Sequence, residues 1–193
     1  MNCFKGKYKV TSTYGMRTRK GKTKMHNGLD LVGVDDTNVY APCDGTIGVS
    51  TIVNKATDTT NTWQWGNFVR LDTADGHSIF MCHMASRAVS KGQKVKKGDK
   101  LGVMGNTGDS DGAHTHLEVR KYGTRTVINP SEYTGIPNNV GTYQAEWGRT
   151  LAENCSILEK HGIMNTPQYW INTAPRVQYL EELICNMAEA VEK

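Results

Sequence analysis

No apolar run in this 193-residue chain lasts more than a few residues, so no segment is long enough to cross a bilayer as a helix, and no membrane insertion is expected. Residues 1–10 lack the apolar stretch of a secretory signal, and a role outside the cell would need another factor to deliver the protein. A C-x-x-C pair is absent as well. The five thiols, Cys3, Cys43, Cys82, Cys155 and Cys185, are odd in number and cannot all pair internally, which predicts free thiols made in a reducing compartment. Acidic residues are missing from positions 1–29, which hold eight Lys and Arg between Lys5 and Lys24. Aromatic residues do not interleave with this run as they do in nucleic-acid readers, so no nucleic-acid partner is expected. The run is either a solvated face or a surface that attracts an anionic polymer. Charge also divides the chain: residues 1–141 carry 19 Lys and Arg against 12 Asp and Glu, and residues 142–193 carry 4 against 7.

What fills the first two thirds is short β-like text. Val10-Thr11-Ser12-Thr13-Tyr14 ends at Gly15, Val39-Tyr40 precedes Ala41-Pro42, and Thr46-Ile47-Gly48-Val49 follows the turn dipeptide Asp44-Gly45. Phe68–Leu71, Ser78–Met84, Lys100–Met104 and His114–Arg120 continue the pattern. No helical period of useful length intervenes, so the predicted fold is mainly β, an antiparallel sheet or sandwich. After Pro137 the period changes. Trp147, Leu151, Cys155 and Leu158 recur at helical spacing up to Gly162, a C-terminal cap signal. Val177, Leu180, Ile184, Met187 and Val191 make a second stripe with Pro175 near its start, and Thr166-Pro167 can open a short helix between the two. The domain reading is a β domain over 1–137, a linker over 138–141 and a small α-helical module over 142–193. Such a module buries little by itself, and is expected to pack on the β domain or to self-associate.

Two stretches stand out chemically: His26-Asn27-Gly28-Leu29-Asp30 and His114-Thr115-His116. A His and an Asp four apart, joined by a His from a distant segment, make the nitrogen and oxygen set of hydrolytic zinc and leave one position open. In a strand, His114, His116 and Glu118 share one face while Leu117 and Val119 take the other. The same alternation predicts that His83 faces a groove, opposite Phe80, Cys82 and Met84 in the core, and that Cys82 turns away from any Cys/His nucleophile pair. Glu118 is a candidate to support a ligand from behind, or a surface carboxylate. The H-E-x-x-H glutamate of many zinc proteases is absent. A neutral imidazole, with a pKa near ~6.5, can orient a water or take its proton instead. His77, beside Asp75-Gly76, reads as an exposed hairpin residue, and His161, before Gly162, as an imidazole at a helix end. Tyr14, Trp63 and Trp65 are candidates to line a substrate groove, although Trp63 and Trp65 would equally serve to pack the loop of residues 54–66.

These residues belong to an ordered series of motifs running from about Val10 to Pro137. It comprises Tyr14-Gly15-Met16-Arg17, His26-x-x-x-Asp30, Val39-Tyr40-Ala41-Pro42, Asp44-Gly45-Thr46, Gly66-Asn67 and His83. Gly92-Gln93-x-Val95-x-x-Gly98-Asp99-x-Leu101-Gly102, Gly105-Asn106-Thr107-Gly108 and Gly112-Ala113-His114-Thr115-His116-Leu117-Glu118-Val119 complete it. The series resembles the lysostaphin-like (LytM-type) zinc endopeptidases, which cut peptidoglycan cross-links. The resemblance implies one zinc ion per chain, bound by His26, Asp30 and His116, with His83 and His114 as the catalytic pair and bacterial peptidoglycan as the partner. The chain departs from the family's common pattern at Thr115 and Met84, both expected on the face away from the imidazoles. The C-terminal segment resembles, less specifically, the helical ends of wall hydrolases from phages of Gram-positive bacteria, around Gly162-Ile163, Gln168-Tyr169-Trp170 and Val177-x-Tyr179-Leu180. That likeness implies an endolysin-like, antimicrobial protein made in the cytoplasm, which reaches the wall by holin-assisted release or as a virion component. The expected function is zinc-dependent hydrolysis of peptide bonds in peptidoglycan stems or cross-bridges. The alternatives are a non-catalytic wall-binding or activator module and a virion structural part, but degenerate relatives lose ligands and none is missing here.

Overall fold

The computed structural model describes residues 1–53, 55, 56, 58, 62–145, 151–166 and 180–192, with the backbone alone at 151–153 and 180–183. They form two compact units, Met1–Gln144 and Ala145–Lys193. The first holds β1 (Lys7–Ser12), β2 (Gly15–Arg19), β3 (Lys22–His26), β4 (Gly28–Gly33), β5 (Asn38–Tyr40), β6 (Gly45–Ile52) and β7 (Asn67–Asp72). It continues with β8 (His77–Met84), β9 (Ser86–Arg87), β10 (Lys94–Val95), β11 (Lys100–Val103), β12 (Thr115–Lys121), β13 (Val127–Ile128), the helix α1 (Pro130–Thr134) and β14 (Gly141–Gln144). The main sheet runs β10-β6-β7-β8-β12-β4-β1-β14, with β13 added to β12; β5-β11-β9 make a smaller sheet and β2-β3 a hairpin. The mainly antiparallel β architecture is the one the short alternating runs predict.

The centre of this sheet sorts its side chains by face. Leu117 lies opposite Met81 and Leu29, Val119 opposite Ile79, and Thr115 opposite Leu31. Cross-strand partners share a face, so these residues, all fully buried, form an apolar layer. Each large aliphatic side chain withdrawn from water there contributes about 1.5–3 kcal/mol. The other face carries Asp30, His116 and Glu118, with Cys82 and Phe80 opposite the last two.

The pairing corrects the expectation for β8. Phe80 and Cys82 share the face of His116 instead of opposing it, so simple alternation would send His83 into the apolar layer. The register between β7 and β8 slips between Asn67 opposite Met84 and Val69 opposite Met81, which leaves an extra residue in β8. His83 has a φ of 64°, in the left-handed region. This bulge re-aims the imidazole toward the polar face. Cys82 is no nucleophile, for a different reason from the one expected: it is fully buried among Phe68 and Phe80, and burial pushes its thiol pKa well above the ordinary value.

The domain boundary also differs from the expected one. Gly141–Gln144, read as the end of a linker and the start of the helical module, form a strand paired with β1 from Lys7 opposite Gln144 to Val10 opposite Gly141. Tyr143 stacks on Tyr8 with ring centroids 5.8 Å apart. The break between units therefore falls after Gln144. In the second unit, α2 (Leu151–Lys160) and α3 (Leu180–Val191) bury Cys155, Leu158, Ile184 and Ala188 together. Gly162, with φ 70°, follows α2, and the Ile163 N–H donates to the Leu158 carbonyl at 2.9 Å, the glycine cap that the spacing predicts. Trp147, Pro167, Gln168-Tyr169-Trp170, Pro175 and Val177 lie outside the described residues. Among the described residues, no helix is long and apolar enough to cross a membrane.

Candidate metal centre and groove

Strand β3 ends at His26 and β4 begins at Gly28, so Asn27 alone connects a ligand candidate to the strand that bears Asp30. His116 pairs directly with Asp30 across the β12–β4 ladder. This pairing unites residues 86 positions apart. His26 Nε2 lies 3.1 Å from Asp30 Oδ1, His116 Nδ1 lies 2.9 Å from the same oxygen, and the two nitrogens are 3.0 Å apart.

Each ring is held from behind. His26 Nδ1 donates to the Thr13 carbonyl at 2.6 Å. His116 Nε2 faces Glu118 Oε2 at 3.5 Å, and Glu118, only 2% exposed, is paired in turn with Arg120. These contacts turn His26 Nε2 and His116 Nδ1 toward Asp30. Two imidazole nitrogens and a carboxylate oxygen then converge. Such a set repels itself unless a cation sits among it, and its nitrogen and oxygen donors suit zinc. The electrostatics agree. Burial alone would raise the Asp30 carboxyl, but His114, His116 and His26 together hold it well below the usual carboxylate range. Burial alone would lower His116, but Asp30 and Glu118 outweigh it and raise its pKa to about 9. The pocket favours positive charge, whether a proton or a metal ion supplies it.

The His83 and His114 rings face each other beside this cluster, with centroids 4.7 Å apart, and His83 is 5.9 Å from the His116 ring. His83 Nδ1 donates to the Thr107 carbonyl at 2.8 Å, and His114 Nδ1 donates to the Gly112 carbonyl at 2.8 Å. These bonds fix both rings through Nδ1, and His114 Nε2 lies 3.5 Å from Asp30 Oδ1. Burial pushes the His83 pKa down to about 4, so this imidazole is neutral at pH 7.

All five residues lie around one cavity of about 570 Å³, together with Trp65 and Glu118. The other two groove candidates are not brought to it. Tyr14 is tied through its backbone to Asn138, and Trp63 lies under Lys55 Nζ at 4.4 Å. His77 stacks on Tyr133, 4.5 Å between centroids, apart from the cluster. Sequence reasoning missed the contact of Arg17 Nη1 with Asp30 Oδ2 at 2.9 Å, although Tyr14-Gly15-Met16-Arg17 marked the spot. It also missed the carbonyls of Thr13, Thr107 and Gly112, which are backbone groups and carry no side-chain signal.

Residues 24–130, which contain the five clustered residues, match the sequence profile of Peptidase family M23. The chain belongs to peptidase family M23. Among curated M23-like relatives it is 31% identical over 116 residues to the peptidoglycan DD-endopeptidase ShyA of Vibrio cholerae, a match covering 58% of this chain and 25% of that protein. It is 33% identical over 110 residues to an uncharacterized metalloprotease of Haemophilus influenzae, covering 57% of this chain and 21% of that one. The chain thus spans about a quarter of the length of these relatives. The catalytic domain of the antimicrobial peptidase lysostaphin from Staphylococcus simulans superposes with a TM-score of 0.56 at 27% identity, covering 66% of this chain and 92% of that domain. The catalytic domain of the prophage-encoded M23 protein EnpA from Enterococcus faecalis gives 0.54 at 28%, covering 65% and 91%.

Proposed function

We propose that this M23 chain is a zinc-dependent endopeptidase that hydrolyses peptide bonds in bacterial peptidoglycan. The observation that carries the reading is the convergence of three donor atoms, on His26, Asp30 and His116, beside the facing imidazoles of His83 and His114. Zinc held by those three residues would polarise the scissile carbonyl and acidify a water. The remaining work falls to the chain. Arg17 fixes the second oxygen of Asp30, and Glu118 fixes the ring of His116. His83, kept neutral by burial and oriented by Thr107, offers Nε2 to accept the proton of the attacking water. His114, oriented by Gly112 with Nε2 3.5 Å from Asp30 Oδ1, lines the same cavity, and His83, once it carries the proton of the water, stabilises the developing oxyanion and returns that proton to the leaving amine. Trp65 supplies an apolar wall for the peptide. The wall substrate is supported by the DD-endopeptidase named among the relatives.

Protein loaded with one equivalent of zinc is expected to release peptides from bacterial walls, read by mass spectrometry of the products. His83→Ala and His114→Ala are each expected to lower the rate by about 10²–10⁴ while zinc is retained. Unchanged lysis in both variants would replace the reading with a wall-binding module. Zinc-loaded wild type that cuts neither walls nor isolated muropeptides would end it.

A further inference from the structure

The β2–β3 hairpin carries a feature that hydrolysis does not use. Arg17 lies opposite Lys24 and Arg19 opposite Lys22, so four cations share the face that ends at His26. The opposite face bears Met16, Thr18, Thr23 and Met25, and no charge. Like charges directly opposed across a strand pair are destabilising. The hairpin has little apolar burial to offset that cost, with Met16 68% and Met25 41% exposed. Acids answer only part of the charge: Asp30 meets Arg17, and Asp111 meets both Arg19 and Lys20, the latter at 2.9 Å. Asp109 lines the same cavity. Among the described residues, Lys22 and Lys24 form no ion pair.

Arg17, Arg19 and Lys24 line the cavity that holds the metal donors. The cost of the opposed charges is therefore incurred on the side where substrate lies, and the reverse side is left neutral. We propose that this hairpin face reads a free carboxylate on the substrate, flanking the scissile bond, so that the substrate class is an acidic stem peptide and not a neutral bridge such as a glycine chain. The inference rests on the peptidase reading and deepens it. A guanidinium and an ammonium on one wall match a carboxylate in charge and in hydrogen-bond donors.

The test uses a synthetic stem peptide with free carboxylates and the same peptide amidated, each titrated calorimetrically into the zinc-loaded protein. Wild type is expected to bind the acidic form about tenfold more tightly at low salt, the worth of one or two screened ion pairs. The Lys22→Gln/Lys24→Gln variant is expected to lose that preference and to bind the amidated form as wild type does, with an unchanged circular dichroism spectrum. Equal binding of the two forms by wild type, or a preference that survives in the variant, would overturn the proposal. So would poly(glycerol phosphate) binding that the variant loses while both peptides bind alike, which would assign the face to a wall phosphate polymer. Preferential binding of the acidic form with cleavage of neither would sink the peptidase reading and leave the carboxylate site standing.

Discussion

The His116 ring occupies the space that a side chain on Gly28 would need: a Cβ there would lie 2.5 Å from His116 Cε1 and 2.6 Å from the Leu117 carbonyl. Glycine at this position lets β4 pass directly beneath a candidate metal ligand. Gly28→Ala is expected to displace the ring, with an overpacking cost of about 1–3 kcal/mol and a marked loss of zinc affinity. Titration against a chromophoric chelator measures the affinity. An unchanged value would show that the ring does not depend on the gap.

Glu118 holds the outer nitrogen of His116 and is itself held by Arg120. Glu118→Gln keeps the shape and removes the charge, and is expected to weaken zinc binding about 10–100-fold with the fold intact. Glu118→Ala also strands Arg120, whose side chain is 17% exposed, and is expected to cost about 3 kcal/mol in stability. Denaturant unfolding of the two variants separates these effects.

Removing the metal should be felt by the fold. Without a cation, the donor atoms of His26, Asp30 and His116 face one another at about contact distance, so a chelator is expected to lower the unfolding midpoint. Free zinc at 100 times its dissociation constant restores about 2.7 kcal/mol. A midpoint indifferent to chelator would count against a preformed site.

His83 sets a pH dependence of stability. Burial holds its pKa at about 4, against ~6.5 in an unfolded chain. The unfolded state therefore takes up the proton first on acidification. The contribution of His83 is complete above pH ~6.5 and is lost as pH falls toward 4, by about 1.4 kcal/mol per unit. In zinc-free protein, the midpoint of wild type is expected to fall more steeply over this window than that of His83→Gln. Parallel curves would show that the ring is not depressed.

His26, Asp30 and His116, which the fold brings together, could be picked out in the sequence as a candidate ligand set because ligand chemistry depends on residue type and spacing, and both are written locally. The position of His83 was reached by an argument whose premise fails. Alternation assigned Phe80 and Cys82 to the wrong face, and a bulge restored the outcome. No local preference announces that bulge, since a histidine at φ 64° is held there by its surroundings. Tyr14 and Trp63 do not line the cavity around the candidate ligands: an aromatic side chain announces burial or binding, but its direction is set by the loop that carries it. Gly141–Gln144 is too short to declare itself a strand, and only its pairing with β1 makes it one.

That last strand bears on how the catalytic unit can be cut free. The family match ends at residue 130, yet the last strand of the sheet runs to Gln144. A fragment ending at Pro137 would keep His26, Asp30 and His116 and still expose the outer backbone edge of β1 as a template for a second molecule. In the intact chain residues 141–144 cover that edge from Lys7 to Val10, so the sheet ends on a strand of four residues, β14, and not on the six-residue β1.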